Sequence, residues 1–300
     1  MRDTMNNPVI SGYHADPFVY RDGEDYYMVC TTETVGWEGA AFHMFHSTDL
    51  QNWSEPAEIL DLKKDVAWAD KMAWAPALIK KDGYWYFVFC GEQQIGIAVC
   101  DTPMGHYRDV LGKPLLGRDT LGTQTIDPSL FADTDGKTYL IWGSSKCWIT
   151  EIFLSPTDVH PVGEQKCLSN DFYWQRTKEP LVYDPTVFCE GADLILYKGR
   201  YLLTWSIYDT RDYRYCIRYA WAQRVTGPYI QPLDDEHDNV LIHHEGEIQC
   251  TGHGNVVEMG GELYQMYHRT ALPRNDYHRE ICCDKIVFED EVHISAKPTR

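Results

Sequence analysis

The chain has 300 residues and a formal net charge of −18, from 27 Lys and Arg against 45 Asp and Glu. A surface this acidic repels phosphate backbones and anionic bilayers, which argues against nucleic acid and membranes as partners. Hydrophobic residues at 44% supply a sizeable core, and the 13% aromatic content suits packed strands that also line a binding surface.

One phrase of sequence recurs five times. It opens at Asp16 (D-P-F-V-Y-R-D-G-E-D-Y-Y-M-V-C) and at Ala75 (A-P-A-L-I-K-K-D-G-Y-W-Y-F-V-F-C). It returns at Asp127 (D-P-S-L-F-A-D-T-D-G-K-T-Y-L-I-W-G), Glu190 (E-G-A-D-L-I-L-Y-K-G-R-Y-L-L-T-W-S) and His253 (H-G-N-V-V-E-M-G-G-E-L-Y-Q-M-Y-H). Each copy is an apolar run, a turn and an aromatic-rich run. The turns Asp22-Gly23, Asp82-Gly83, Asp135-Gly136 and Gly260-Gly261 are strong hairpin signals, and Lys198-Gly199 is a weaker one. More strand-like sequence follows each hairpin, at 41–53, 95–107, 147–155, 215–229 and 279–290.

Two hairpins per copy predict four antiparallel strands. A repeat of this size predicts an all-β, five-bladed β-propeller that occupies residues 1–300 as a single domain. Longer loops are expected at 34–40, 62–72, 160–184 and 232–247, and no helix longer than a couple of turns is expected. The first residues carry no apolar signal core, and no stretch is long enough to span a bilayer. Ten Cys occur without a tight framework, several inside apolar runs. That usage predicts a reducing, cytoplasmic setting, although a secreted protein trimmed of its signal peptide would read the same. Oligomeric state is not legible.

Equivalent positions of propeller blades face a shared axis, so the repeat brings Asp16, Asp127 and Glu190 together. Crowded carboxyl groups in a water-poor pocket acquire different pKa values, because like charges disfavour joint ionisation. Cleavage of a glycosidic bond needs such a pair, one protonated and one charged. Any one of these acids could simply cap a strand or a turn; three at matched positions point to function. No HExxH or paired-Cys motif is present, so no cofactor or catalytic metal is expected.

The segments H-A-D-P-F-V at 14–19, I-D-P-S-L-F at 126–131 and C-E-G-A-D at 189–193 resemble the signature segments of glycoside hydrolase family 43. So do N-P-V-I-S-G-Y before the first, W-A-P-A-L at 74–78, I-G-I-A-V-C-D-T-P-M-G at 95–105 and T-G-H-G-N-V-V at 251–257. The resemblance runs in order over nearly the whole chain, with one departure: Ala192 stands where Glu-Gly-Pro is more usual. It implies a five-bladed propeller and an inverting glycosidase acting on arabinose-, xylose- or galactose-containing glycans. Asp16 would be the general base, Glu190 the general acid, and Asp127 the group that holds Glu190 and raises its pKa. Base and acid would stand roughly 6.5–9.5 Å apart.

The resemblance also implies that His253 lies beneath the sugar, either hydrogen-bonded in the channel or meeting a structural calcium ion through water. Trp74 would stack on a pentose ring or else pack between blades, and Arg269 would reach a sugar hydroxyl or else form an ion pair on the blade. His14, Trp37 and Phe42 are further lining candidates. The expected activity is exo-acting release of α-L-arabinofuranose or β-D-xylose from short oligosaccharides. A galactan- or arabinan-active relative and a non-catalytic sugar-binding propeller are the alternatives. A retaining fructosidase is disfavoured, since Ala15 and Phe18 depart from its Asn-Asp-Pro-Asn opening and Cys189 precedes the acid rather than following it.

Overall fold

The computed structural model describes residues 5–175, 182–183, 188–234, 237–272 and 278–300. Each of the five sequence copies forms an antiparallel sheet, and the five sheets are the blades of a β-propeller. Blade one comprises His14–Asp22, Asp25–Thr32, Ala41–Ser47 and Ala57–Asp61. Blade two comprises Trp74–Lys81, Tyr84–Gly91, Gln94–Cys100 and Arg108–Asp109. Blade three comprises Ser129–Ala132, Thr138–Trp142, Trp148–Ser155 and Asp158–Cys167. Blade five comprises Val256–Met259, Glu262–Thr270, Arg279–Phe288 and Ile294–Ala296.

Blade four departs from the four-strand expectation. Its hairpins are Glu190–Tyr197 with Arg200–Ile207, and Cys216–Ala222 with Tyr229–Pro232. The segment expected as a loop at 160–184 instead supplies Phe172–Gln175, which pairs in parallel with Tyr229–Pro232 and in turn pairs with Val182–Tyr183. Val240–Ile242 adds to Cys216–Ala222. An outer strand edge presents unpaired backbone groups, and the inserted segments cover them. The other expected loops also carry short elements: Thr34–Trp37 is extended, and Leu62–Asp65 is one helical turn capped by the Asp61 side chain.

The turns lie where the sequence puts them. Asp82 and Gly83, Lys198 and Gly199, and Gly260 and Gly261 link paired strands, and Asp82, Lys198 and all four glycines have positive φ. The second residue of such a two-residue turn needs the left-handed region at little cost, which is why glycine follows each time.

Between the blades the core is apolar. One cluster joins blades one, two and three, another joins three and four, a third joins four and five, and a fourth returns from five to one. Polar bonds join the inner strands. Thr31 Oγ1 accepts from the Ala75 amide at 2.8 Å while donating to Asp16 at 2.7 Å, linking blades two and one. Ser129 donates to Asp193 at 2.7 Å, and the His253 amide donates to Ser206 Oγ at 2.9 Å. The Asn255 side chain closes the ring through the Val19 amide and carbonyl, both at 2.9 Å.

The N-terminal segment is pinned to the third strand of blade five. Val9 and Ile10 pair with Ile281, and buried Asn7 exchanges bonds with Cys283, Asp284 and Thr299. Asn7→Ala would strand the buried Cys283 amide and part of the Asp284 hydrogen bonding. The expected loss is about 2 kcal/mol, read as a lower urea midpoint at unchanged m-value. An unchanged midpoint would show that this strap adds nothing to ring stability.

Candidate active site

At or near the start of the inner strand of every blade stands a residue in the left-handed region: Asp16 (φ 52°), Ala75 (φ 40°), Asp127 (φ 56°), Gly191 (φ 63°) and His253 (φ 43°). Pairing slips at this point in blades one, two and four, between Ala15 and Phe18, Trp74 and Ala77, and Glu190 and Asp193. A bulge of this kind re-aims a side chain, at a cost of roughly 1–2 kcal/mol where the residue has a Cβ. The equivalence corrects one detail of the sequence pattern. Gly191, not Glu190, stands level with Asp16 and Asp127, and Glu190 is one residue earlier, level with Ala15 and Trp74.

Asp16 is buried and fully hydrogen-bonded. Its Oδ2 accepts from Thr31, and its Oδ1 lies 3.2 Å from Arg279 Nη1 and 3.2 Å from His268 Nδ1. Burial disfavours its charge, but the Arg279 guanidinium, His253 and His268 together outweigh that and hold Asp16 well below the usual carboxylate range. Arg279 is itself buried and gripped by Glu33, whose oxygens accept from Nε at 2.8 Å and Nη2 at 2.5 Å. Such a two-pronged pair fixes the cation in place. Burial pushes the His268 imidazole down to about 3, so it is neutral.

Burial raises Asp127 well above the carboxylate range, and the Glu190 and Asp16 charges add to the effect. Its Oδ2 accepts from the Gly191 amide at 3.1 Å. Glu190 is pushed up to about 7 by burial; the Tyr215 hydroxyl, which donates to its Oε1 at 2.8 Å, opposes the shift, and Asp16 adds to it. Tyr215 stacks on His268 with centroids 5.6 Å apart, so one buried aromatic pair joins the surroundings of Glu190 and Asp16. His253 sits between the acids, its Nδ1 3.4 Å from Asp16 and 3.8 Å from Asp127. Gly252 leaves space for Tyr215, since a Cβ there would fall 2.0 Å from the ring. The arrangement holds one charged and one protonated carboxyl group in a single buried site.

The sequence-derived lining residues divide. Trp74 and Trp37 are half-buried neighbours, with rings 6.2 Å apart and the Trp74 indole donating to the Trp37 carbonyl. Trp37 also hydrogen-bonds Glu33, and Arg211 lies over its face at 5.2 Å. His14 packs beside Cys30 and Phe45, toward the interface of blades one and five. Phe42 is fully buried against Phe87 and Phe89 in the core between blades one and two, so it lines no site.

Arg269 is also misplaced as a sugar ligand. It pairs with Glu280 and the Thr299 carbonyl, because Arg269 and Glu280 face one side of the sheet while His268 and Arg279 face the other. The arginine at the axis is Arg279. Its signal in the sequence is a cation opening a strand on the same face as Ile281 and Cys283. Glu33, His268, Tyr215 and Thr31 were not legible, since they stand on or beside later strands of their blades and away from the openers.

Comparison with known proteins gives the family and the fold. The model of the glycosyl hydrolases family 43 matches residues 5–293. A β-D-galactofuranosidase of Aspergillus niger is 28% identical over 95% of this chain and 82% of its own length. A β-xylosidase of Bacillus subtilis is 26% identical over 90% of this chain, which spans only 50% of that protein. The calcium-free xylotriose complex of a β-xylosidase/α-arabinofuranosidase from a compost metagenome superposes with a TM-score of 0.79. It is 20% identical and covers 100% of this chain and 99% of its own.

Gly191 carries a specific requirement besides its φ. A Cβ there would lie 2.9 Å from His253 Cγ, whereas one at Gly199, with φ 77°, would meet nothing. Both Gly191→Ala and Gly199→Ala incur the backbone strain, but only the first displaces His253. Gly191→Ala is expected to lose about 1–3 kcal/mol more than Gly199→Ala in urea unfolding. Equal losses would mean that the contact with His253 is not tight.

Proposed function

The chain belongs to glycosyl hydrolases family 43, and on that premise we propose that it is an exo-acting, inverting glycosidase. It releases terminal α-L-arabinofuranose or β-D-xylose from short plant-wall oligosaccharides. The observation that supports this reading best is the opposed protonation of two carboxyl groups in one site: Asp16 ionised beside Arg279, and Glu190 protonated through burial. In the proposed reaction Asp16 takes a proton from water as the water attacks the anomeric carbon. Glu190 gives its proton to the departing glycosidic oxygen on the opposite face. Asp127, which accepts from the Gly191 amide, holds in place the backbone that carries Glu190. Trp74 and Trp37 form an aromatic wall against which a sugar ring packs.

A second reading is favoured by one comparison. The galactofuranosidase relative matches 95% of this chain, so a β-D-galactofuranoside belongs among the substrates to be tried. A calcium ion beneath the sugar would meet His253 through water on its Nε2 side, since Nδ1 faces Asp16 and Asp127 and calcium takes oxygen ligands. That ion would supply fixed positive charge under the ring.

Release of nitrophenol from the α-L-arabinofuranoside, β-D-xyloside and β-D-galactofuranoside tests the substrate class. Turnover of at least one, lost by more than about 1,000-fold in Asp16→Ala, is expected; silence on all three would contradict the proposal. Glu190→Ala should impair an arabino- or xylo-oligosaccharide far more than the nitrophenyl glycoside, whose leaving group needs little protonation. Equal losses would remove Glu190 as the acid. Early-time NMR should show the inverted anomer.

The pH dependence has a definite sign. Activity needs Glu190 protonated, so kcat/KM should fall as pH rises through about 7. Tyr215→Phe removes a hydrogen bond that favours the Glu190 carboxylate. The Glu190 pKa should rise and carry the basic limb to higher pH. A limb that stays put or moves down would separate Tyr215 from the ionisation of Glu190.

A further inference from the structure

A second cluster of titratable side chains lies far from the axial acids in the fold, where the loop after Tyr229–Pro232 in blade four meets the turn before Ile294–Ala296 in blade five. Among the described residues, Asp234, His237 and His293 are the one group of three such side chains whose ligand atoms all lie within 4.8 Å of one another. Asp234 Oδ1 is 2.9 Å from His237 Nδ1, and Asp234 Oδ2 is 3.6 Å from His293 Nε2. Ligand atoms around tetrahedral zinc, with bonds of about 2.0–2.2 Å, stand roughly 3.3 Å apart.

The hydrogen bonding of the two imidazoles points to a shared cation. His293 Nδ1 lies 2.7 Å from Asp290 Oδ2, and Asp290 is held in turn by the Val292 and His293 amides. A carboxylate there fixes the proton on Nδ1 and turns the lone pair of Nε2 toward Asp234, an acceptor facing an acceptor. His237 has carboxylate oxygens at both nitrogens, Asp234 on one side and Glu289 at 3.0 Å on the other. The two rings stack with centroids 4.3 Å apart, which brings His237 Nδ1 and His293 Nε2 to the same carboxylate, Asp234. One divalent ion among His237 Nδ1, His293 Nε2 and Asp234 would bond to all three, with Glu289 on His237 Nε2 and Asp290 on His293 Nδ1 as the outer carboxylates that orient the rings. Two imidazoles and a carboxylate suit zinc, whereas calcium and magnesium demand oxygen. A cavity of about 590 Å³, lined in part by His237, Glu289 and His293, leaves room for water as a fourth ligand.

We propose that Asp234, His237 and His293 form a zinc site that clips the outer edges of blades four and five together. The full chain, stripped with EDTA and dialysed, is titrated with zinc chloride by calorimetry and followed by thermal unfolding. One equivalent is expected to bind and to raise Tm, while calcium or magnesium chloride at the same concentration leaves Tm unchanged. His237→Ala and His293→Ala should each weaken binding at least tenfold. Asp290→Asn, which meets the far nitrogen of His293 and the Val292 and His293 amides but none of the three ligand atoms, should weaken it by about 10-fold. A crystal of the unaltered protein soaked in zinc chloride should show an anomalous peak among the three side chains, which tests the site independently of any variant's folding. Absence of binding, equal binding by the His237→Ala/His293→Ala double variant, or a peak elsewhere would each overturn the proposal.

Discussion

The buried guanidinium of Arg279 decides how the axis of this propeller is charged. Three carboxyl groups converge there out of water, where a lone carboxylate would take up a proton. Glu33 holds Arg279 by two bonds, and Arg279 faces Asp16, so Asp16 is the acid that stays ionised. Its negative charge then weighs on Glu190 and Asp127, both of which burial already drives toward the protonated form. A single cation thus separates the three acids into one charged and two neutral groups. Burying it is tolerable because it is paired; removing one partner would leave an uncompensated charge, the expensive outcome for a buried ion pair.

The backbone makes this convergence possible. Each inner strand has a left-handed residue at or near its start, and that kink carries a side chain out of the alternation of the sheet and toward the axis. Where the axis needs a carboxylate or an imidazole, the chain accepts the strain at Asp16, Asp127 and His253. Where His253 needs space, the same position is Gly191. Strain of this sort persists only when the surroundings over-determine it. Here the bonds between blades do so: Thr31 binds Asp16 and the Ala75 amide, Asp127 binds the Gly191 amide, and Ser206 binds the His253 amide.

The blades were legible because hairpin turns and aromatic runs are local signals, and the five Gly turns mark them directly. The axial acids were legible because they open the repeat. Arg279, His268 and Tyr215 were hidden for the opposite reason. Arg279 and His268 reach the site from the third and second strands of blade five, Tyr215 from just before the third strand of blade four, and such placement is set by register rather than by local sequence. Arg269 and Arg279 show the difference: both belong to blade five, and only pairing across the sheet turns one toward Asp16 and the other toward Glu280. Phe42 failed for a related reason, since an aromatic residue in a strand serves the core between blades as readily as a binding surface. The enlarged fourth blade was missed because Phe172–Gln175 pairs in parallel with a strand distant in sequence, and nothing local announces such a partner.

The most direct test of the central claim is a titration of the axial carboxyl groups themselves, by carbon-13 NMR of protein labelled at the Asp and Glu side-chain carboxyl carbons, with Asp16→Asn and Glu190→Gln used to assign the signals. The account predicts that Glu190 takes up its proton near pH 7 while Asp16 remains ionised well below the usual carboxylate range. Either carboxyl group titrating at about pH 4, the ordinary carboxylate range, would contradict it.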